Sequence, residues 1–232
     1  GYDIYLSDNC TEASTYPVTT DNTVPLSANV QIMGSGFPVF STEGAIDYLE
    51  LRGDMSSYIT MPYNSEITLL HNVYIKGGIA VSNYFTLYSS KKILMEEGTA
   101  FIAGAGMQLT SAEIEGKDGA SWQGIYLGTN TSNQDYSNIY GITVRNAGSS
   151  VISNGSVTTT QAAAVYCTGD LAWFKDNTIE NSGGYGLYLP SLNGTPGNTS
   201  NYTENTFSGN ANAAVYTQDK YAGLFSDSEF TT

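Results

Sequence analysis

Apolar and polar residues alternate with a period of two wherever the chain is regular, as in Val73-Tyr74-Ile75, Ile79-Ala80-Val81, Met107-Gln108-Leu109 and Ile142-Thr143-Val144. An extended backbone sends successive side chains to opposite faces, so these runs predict strands with one buried face. No segment holds a 3.6-residue apolar period for three turns, and the chain therefore reads as all-β. Residues suited to turns separate the runs, at Lys76-Gly77-Gly78, Ala103-Gly104-Ala105-Gly106, Ser182-Gly183-Gly184 and Leu192-Asn193-Gly194-Thr195-Pro196-Gly197.

Four strings in the second half share one order, a small residue, an apolar residue, a tyrosine and a mostly apolar residue. They are Gly124-Ile125-Tyr126-Leu127, Ala164-Val165-Tyr166-Cys167, Gly186-Leu187-Tyr188-Leu189 and Ala214-Val215-Tyr216-Thr217, starting 40, 22 and 28 residues apart. One strand per turn of a solenoid gives such unequal spacing when the turns carry loops of different length. A second register runs beside it: Asp176-Asn177-Thr178-Ile179, Glu204-Asn205-Thr206-Phe207 and Asp227-Ser228-Glu229-Phe230. Ile179 precedes Leu187, and Phe207 precedes Val215, by the same eight residues, so two linked strands form one unit used twice.

At 232 residues the chain can bury roughly 70 to 75% of its unfolded surface, enough for a core without disulfides. One domain, 1–232, is expected. Residues 1–65 hold four of the six prolines (Pro17, Pro25, Pro38, Pro62) and read as an irregular cap with the first coils, and 66–232 as regular coils. The largest insertions, between Val144 and Val165 and between Leu189 and Asn205, are polar and uncharged in bulk, suited either to binding or to solvated filler.

The formal charge of −14, with eight Lys plus Arg scattered singly except for Lys91-Lys92, argues against nucleic acid and polyanionic glycan as partners. No apolar run is long enough to span a membrane. Charged residues make up only 13% of the chain, a polar balance closer to exported surface proteins than to cytosolic enzymes. The chain opens at Gly1 without a basic or apolar leader, so an exported form would already have lost its signal. Cys10 and Cys167 are too far apart for a metal motif, and Cys167 falls in register with Leu127 and Leu189, as a small buried thiol would. His71 is the single histidine, which leaves no basis for a zinc site or a histidine triad.

The stretch Val73-Tyr74-Ile75-Lys76-Gly77-Gly78, then Gly98-Thr99-Ala100-Phe101-Ile102, Ser121-Trp122-Gln123-Gly124-Ile125, Asn177-Thr178-Ile179 and Gly186-Leu187-Tyr188, resembles right-handed parallel β-helix repeats. The similarity is to exported Bacteroidetes-type surface proteins of the pectate-lyase-like superfamily and covers about residues 70 to 230. It implies a single-stranded right-handed parallel β-helix with coils of about 22–28 residues, in a superfamily that includes pectate lyases, polygalacturonases, tailspikes and non-catalytic surface domains. The catalytic patterns are missing: there is no Asp-Asp pair of the polygalacturonase kind, and Arg52 and Arg145 are the only arginines available as a lyase base.

If Ile125, Val165, Leu187 and Val215 face inward, Tyr126, Tyr166, Tyr188 and Tyr216 face outward, stacked one strand spacing apart. Such a ladder suits stacking on sugar rings, and Trp173, Phe174, Tyr185 and Tyr221 could extend it. The alternative is that tyrosine serves as a good strand residue packing on its neighbours or under a loop. In the second register Asn177 and Asn205 should point inward and bond one another and the backbone. Asp176, Glu204 and Asp227 should lie outside, where stacked carboxylates form a candidate calcium site or splay into water. Asp176, Glu180 and Glu204 could also meet the separation a glycosidase needs. Trp122 reads as a packing anchor.

These observations lead to an expectation of an exported, non-catalytic surface module that binds neutral glycan or a protein partner. A β-helix lyase or glycoside hydrolase, and a structural spacer within a longer surface protein, are the alternatives. The last string begins a new unit without a polar cap, which predicts end-to-end association through an uncovered coil.

Overall fold

The computed structural model describes residues 92–128, 136–154, 157–169, 171–192 and 199–231 as continuous stretches, preceded by strands lying between Asp3 and Ser89. His71, Cys10, the four prolines of the first 65 residues and the turn at 193–197 lie outside the described residues. Among the described residues the strands form sheets of ten, seven and six members and one two-stranded hairpin. Helical structure there is confined to three short 3-10 segments, Lys117–Gly119, Thr199–Tyr202 and Asp219–Phe225, so the all-β expectation holds.

From Val73 the chain visits the three large sheets in rotation. Val73–Ile75, Lys92–Met95, Glu113–Gly116, Thr143–Arg145 and Thr178–Glu180 join the ten-stranded sheet. Ile79–Val81, Ala100–Ala103, Gly124–Leu127, Ala163–Cys167 and Tyr185–Leu189 join the seven-stranded sheet. Thr86–Ser89, Gln108–Thr110, Ser137–Tyr140 and Leu171–Lys175 join the six-stranded sheet. Every one of these strands pairs parallel to its neighbours. Antiparallel pairing occurs between Asp3–Leu6 and Asn29–Gly34 and within the hairpin Ser153–Asn154 and Val157–Thr158.

Parallel register stacks like on like. Ile93, Ile114, Val144, Ile179, Phe207 and Phe230 form one column, and Phe101, Ile125, Val165, Leu187 and Val215 a second. Leu87, Leu109, Ile139 and Phe174 form a third. Apart from Val215 and Phe230, these side chains are buried in one continuous apolar cluster, each contributing about 1.5–3 kcal/mol by leaving water. Cys167 sits in that core, as its register required. Trp122 is fully buried there and its indole N–H donates to the Arg145 carbonyl at 2.8 Å.

The glycine that opens two of the four tyrosine strings has a steric origin. A Cβ on Gly124 would meet the Ala163 carbonyl oxygen at 2.3 Å, and one on Gly186 the Ala214 carbonyl oxygen at 2.5 Å. At these two positions adjacent turns of chain approach too closely for a side chain pointing that way.

The last described turns carry two 3-10 segments. Thr199–Tyr202 and Asp219–Phe225 take the place of further strands on the six-stranded sheet, and Tyr202, Tyr221, Leu224 and Phe225 complete the core. On the ten-stranded sheet Phe230 stacks on Phe207 with centroids 5.6 Å apart and is 52% exposed.

Candidate functional site

The four tyrosines are in register across adjacent strands of the seven-stranded sheet. Strand alternation turns their rings away from the core, since Ile125, Leu127, Val165, Leu187 and Leu189 fill it on the opposite face. The rings stack in sequence, with centroids 6.0 Å apart between Tyr126 and Tyr166, 5.0 Å between Tyr166 and Tyr188, and 4.5 Å between Tyr188 and Tyr216. Tyr185 closes the group with its ring 5.3 Å from Tyr188 and 5.6 Å from Tyr216.

The ladder is open only at one end, which corrects the expectation of a fully exposed face. The insertion after Arg145 folds back over the outer side of the sheet and packs Ile152 and Val157 against Ala100, Ile102 and Tyr126. Thr159 fixes this cover: its hydroxyl accepts from the Ile152 N–H at 2.9 Å and donates to the Gln161 carbonyl at 3.1 Å. Thr160 and Tyr166 join hydroxyls at 3.1 Å, and Tyr166 is buried. Burial raises the pKa of Tyr126 and Tyr188 above the ordinary phenol value, partly offset by hydrogen bonds to Thr168 and Thr160 respectively. Beyond the hairpin, Tyr185 and Tyr188 are half-buried and Tyr216 is 43% exposed. The insertion thus packs over the sheet through Ile152 and Val157.

Trp173 does not extend this platform. It lies on the six-stranded sheet, paired with Asn138, while Phe174 and Tyr221 are in the core.

The second register divides as its residue types dictate. Asn177 and Asn205 are buried, and the Asn177 amide donates to Asn205 Oδ1 at 3.0 Å and to the Ile139 carbonyl at 3.3 Å. Asn205 Oδ1 also accepts from the Asn177 backbone N–H at 3.1 Å, and Asn205 Nδ2 donates to the Phe174 and Tyr202 carbonyls, both at 2.9 Å. Asp176 and Glu204 stand at left-handed corners, φ 57° and 61°, two residues ahead of their strands, where Ser111 and Gly141 occupy the equivalent places. Their N–H groups step from turn to turn, Asp176 to the Thr203 carbonyl at 3.1 Å and Glu204 to the Asp227 carbonyl at 3.3 Å.

Asp176, Glu204 and Asp227 are not brought together: among the described residues no group of three His, Cys, Asp or Glu side chains is placed to hold a metal ion. Glu204 instead reaches Lys175 at 2.9 Å, and this hydrogen bond raises the lysine pKa. Glu180 is taken up by Arg145 at 2.7 Å, in a network where Arg145 and Lys92 also hold Glu113 and Glu115. That network runs across four adjacent strands of the ten-stranded sheet. It was readable only once Lys92, Glu113, Thr143 and Thr178 were known to be in register.

Comparison with protein-family models, curated proteins and solved structures finds no match to this chain. Its chemistry therefore rests on its own side chains. Three exposed aromatic features remain among the described residues outside the covered and core regions: the tyrosine end, the Trp173 face with Tyr140, and Phe230 on the ten-stranded sheet.

Proposed function

We propose that the chain is a right-handed parallel β-helix serving as an exported, non-catalytic module that binds neutral glycan through Tyr185, Tyr188 and Tyr216. The strand rotation among three parallel sheets supports the helix, and the general right-handedness of parallel crossovers supports its hand. The low charged fraction and the Asn, Ser and Thr content support export.

The observation that carries the binding reading is the open end of a preorganised tyrosine stack. Ring planes of Tyr188 and Tyr216 lie within 10° of each other, and Tyr185 stands across them, so flat and edge surfaces are both on offer. The rings are held by a rigid sheet and by Tyr166 beneath them, so little side-chain freedom is lost when a sugar stacks. Phenol hydroxyls at the rim supply donors and acceptors for a polyol. The chain charge of −14 disfavours an anionic glycan.

Of the three carboxylates that a glycosidase would use, two are paired with cations. Glu180 is held by Arg145, Glu204 by Lys175, and Asp176 serves a backbone corner. This engagement supports binding over hydrolysis.

Affinity electrophoresis through gels containing neutral polysaccharide tests the reading. Wild-type protein should be retarded, and the Tyr188→Ala, Tyr216→Ala double variant should be retarded less while melting near the wild-type temperature. Equal retardation of the two proteins would sink the tyrosine site.

A further inference from the structure

The strand Leu171–Lys175 carries one residue too many. Ser137 pairs with Leu171, yet the next residue, Asn138, pairs with Trp173, so Ala172 is an extra residue opposite the break. Unbroken alternation from inward Leu171 would send Trp173 into the core and Phe174 out. The bulge reverses this: Phe174 is buried in the core column and Trp173 is 46% exposed. A bulge that re-aims one side chain is a recurrent device beside binding sites. Here it is pinned from the outer end, where Tyr202 donates to the Leu171 carbonyl at 2.6 Å and the Asn201 amide to the Ala172 carbonyl at 3.3 Å.

The re-aimed indole joins a flat face with a specific composition. Gln108, Asn138 and Trp173 lie in one cross-strand row, and Thr110, Tyr140 and Lys175 in the next. Tyr140 is 39% exposed, Gln108 is exposed, and Asn138 and Thr110 are half-buried. Strand spacing and rise put Trp173 and Tyr140 about 8 Å apart across the diagonal at Cα, close enough for neighbouring rings of one oligosaccharide. Lys175 is paired with Glu204 at 2.9 Å, so its charge is balanced within the face. Two aromatic surfaces bordered by amides and a hydroxyl match an uncharged polyol chain, whereas a protein partner would favour a continuous apolar centre.

We infer that the outer face of the six-stranded sheet is a second sugar-stacking site, with Trp173 and Tyr140 as platforms and Gln108, Asn138 and Thr110 as hydrogen-bonding neighbours. It lies on a different sheet from the tyrosine end and stands whether or not that end binds.

The two tryptophans make the test direct, because Trp122 is fully buried and Trp173 is open to a soluble quencher. Acrylamide quenching of the full chain is measured with cellohexaose, xylohexaose, mannohexaose, laminarihexaose and hexagalacturonate. At least one neutral hexasaccharide should protect Trp173 in a saturable manner. The residual emission of a Trp173→Phe variant should not respond to it. Tyr140→Ala should weaken the titration about tenfold, as loss of one stacking partner would, and Tyr188→Ala with Tyr216→Ala should leave it unchanged. The inference is overturned if no neutral sugar protects Trp173, if Tyr140→Ala titrates as wild type, if hexagalacturonate protects best, or if protection follows protein concentration alone, which would mark a contact between copies.

Discussion

Replacing Asn205 by Ala should be among the most damaging single changes in the chain, although it removes no apolar contact. Asn205 is fully buried and makes four hydrogen bonds: its oxygen accepts from the backbone and side-chain amides of Asn177, and its nitrogen donates to the Phe174 and Tyr202 carbonyls. Each bond contributes about 0.5–1.5 kcal/mol net, so their joint loss comes to about 2–6 kcal/mol, with the upper part reached if water cannot enter to satisfy the stranded groups. Urea unfolding followed by tryptophan emission measures the loss. A double-mutant cycle with Asn177→Ala isolates the ladder, and coupling of about 0.5–3 kcal/mol is expected for groups in one network. A loss below about 1 kcal/mol, or additive single losses, would refute the view that the asparagine ladder ties successive turns together.

Other consequences follow from the same geometry. Leu187→Ala empties a position between Val165 and Val215 in the second core column and should cost about 2–5 kcal/mol by urea unfolding; a cost under about 1 kcal/mol would mean the column is not close-packed. Burial, with smaller contributions from Cys167 and Tyr136, pushes the Tyr202 phenol up to about 12. The folded form then holds this proton more tightly than the unfolded one, so its stabilisation is whole below pH about 10 and is lost as pH rises from about 10 to 12, by about 2–3 kcal/mol in all. Tyr202→Phe should therefore be less stable than wild type at pH 9, for want of the bond to Leu171, and the gap should close or reverse by pH 12. A gap that does not change with pH would contradict the burial of that hydroxyl.

The parts of the fold legible in the sequence were those where periodicity and stacking act together. The tyrosine strings and the Asp/Glu-Asn strings were visible because parallel register places the same kind of residue at the same point of each turn, and Ile125, Val165, Leu187 and Val215 pair as that reasoning required. The inward asparagines followed from alternation about Ile179 and Phe207. Three things were not legible. The back-folded hairpin depends on contacts between Ile152 and Ala100 or Ile102, which are distant in sequence and carry no local pattern. The outward turn of Trp173 depends on a single extra residue, Ala172, that breaks the alternation used to read everything else. The acidic residues were read for their charge, whereas Asp176 and Glu204 occupy left-handed corners, a requirement of backbone shape that residue type signals weakly.

The most direct measurement incubates the protein with a panel of neutral and acidic polysaccharides and reads two quantities from one sample: protein retained on each glycan, and new reducing ends or unsaturated products released. Retention on at least one neutral glycan, weakened by Tyr188→Ala with Tyr216→Ala and accompanied by no new ends, is the expected result. New chain ends appearing in proportion to protein, or retention that the double variant leaves intact, would contradict a non-catalytic glycan module built on the open end of the tyrosine stack.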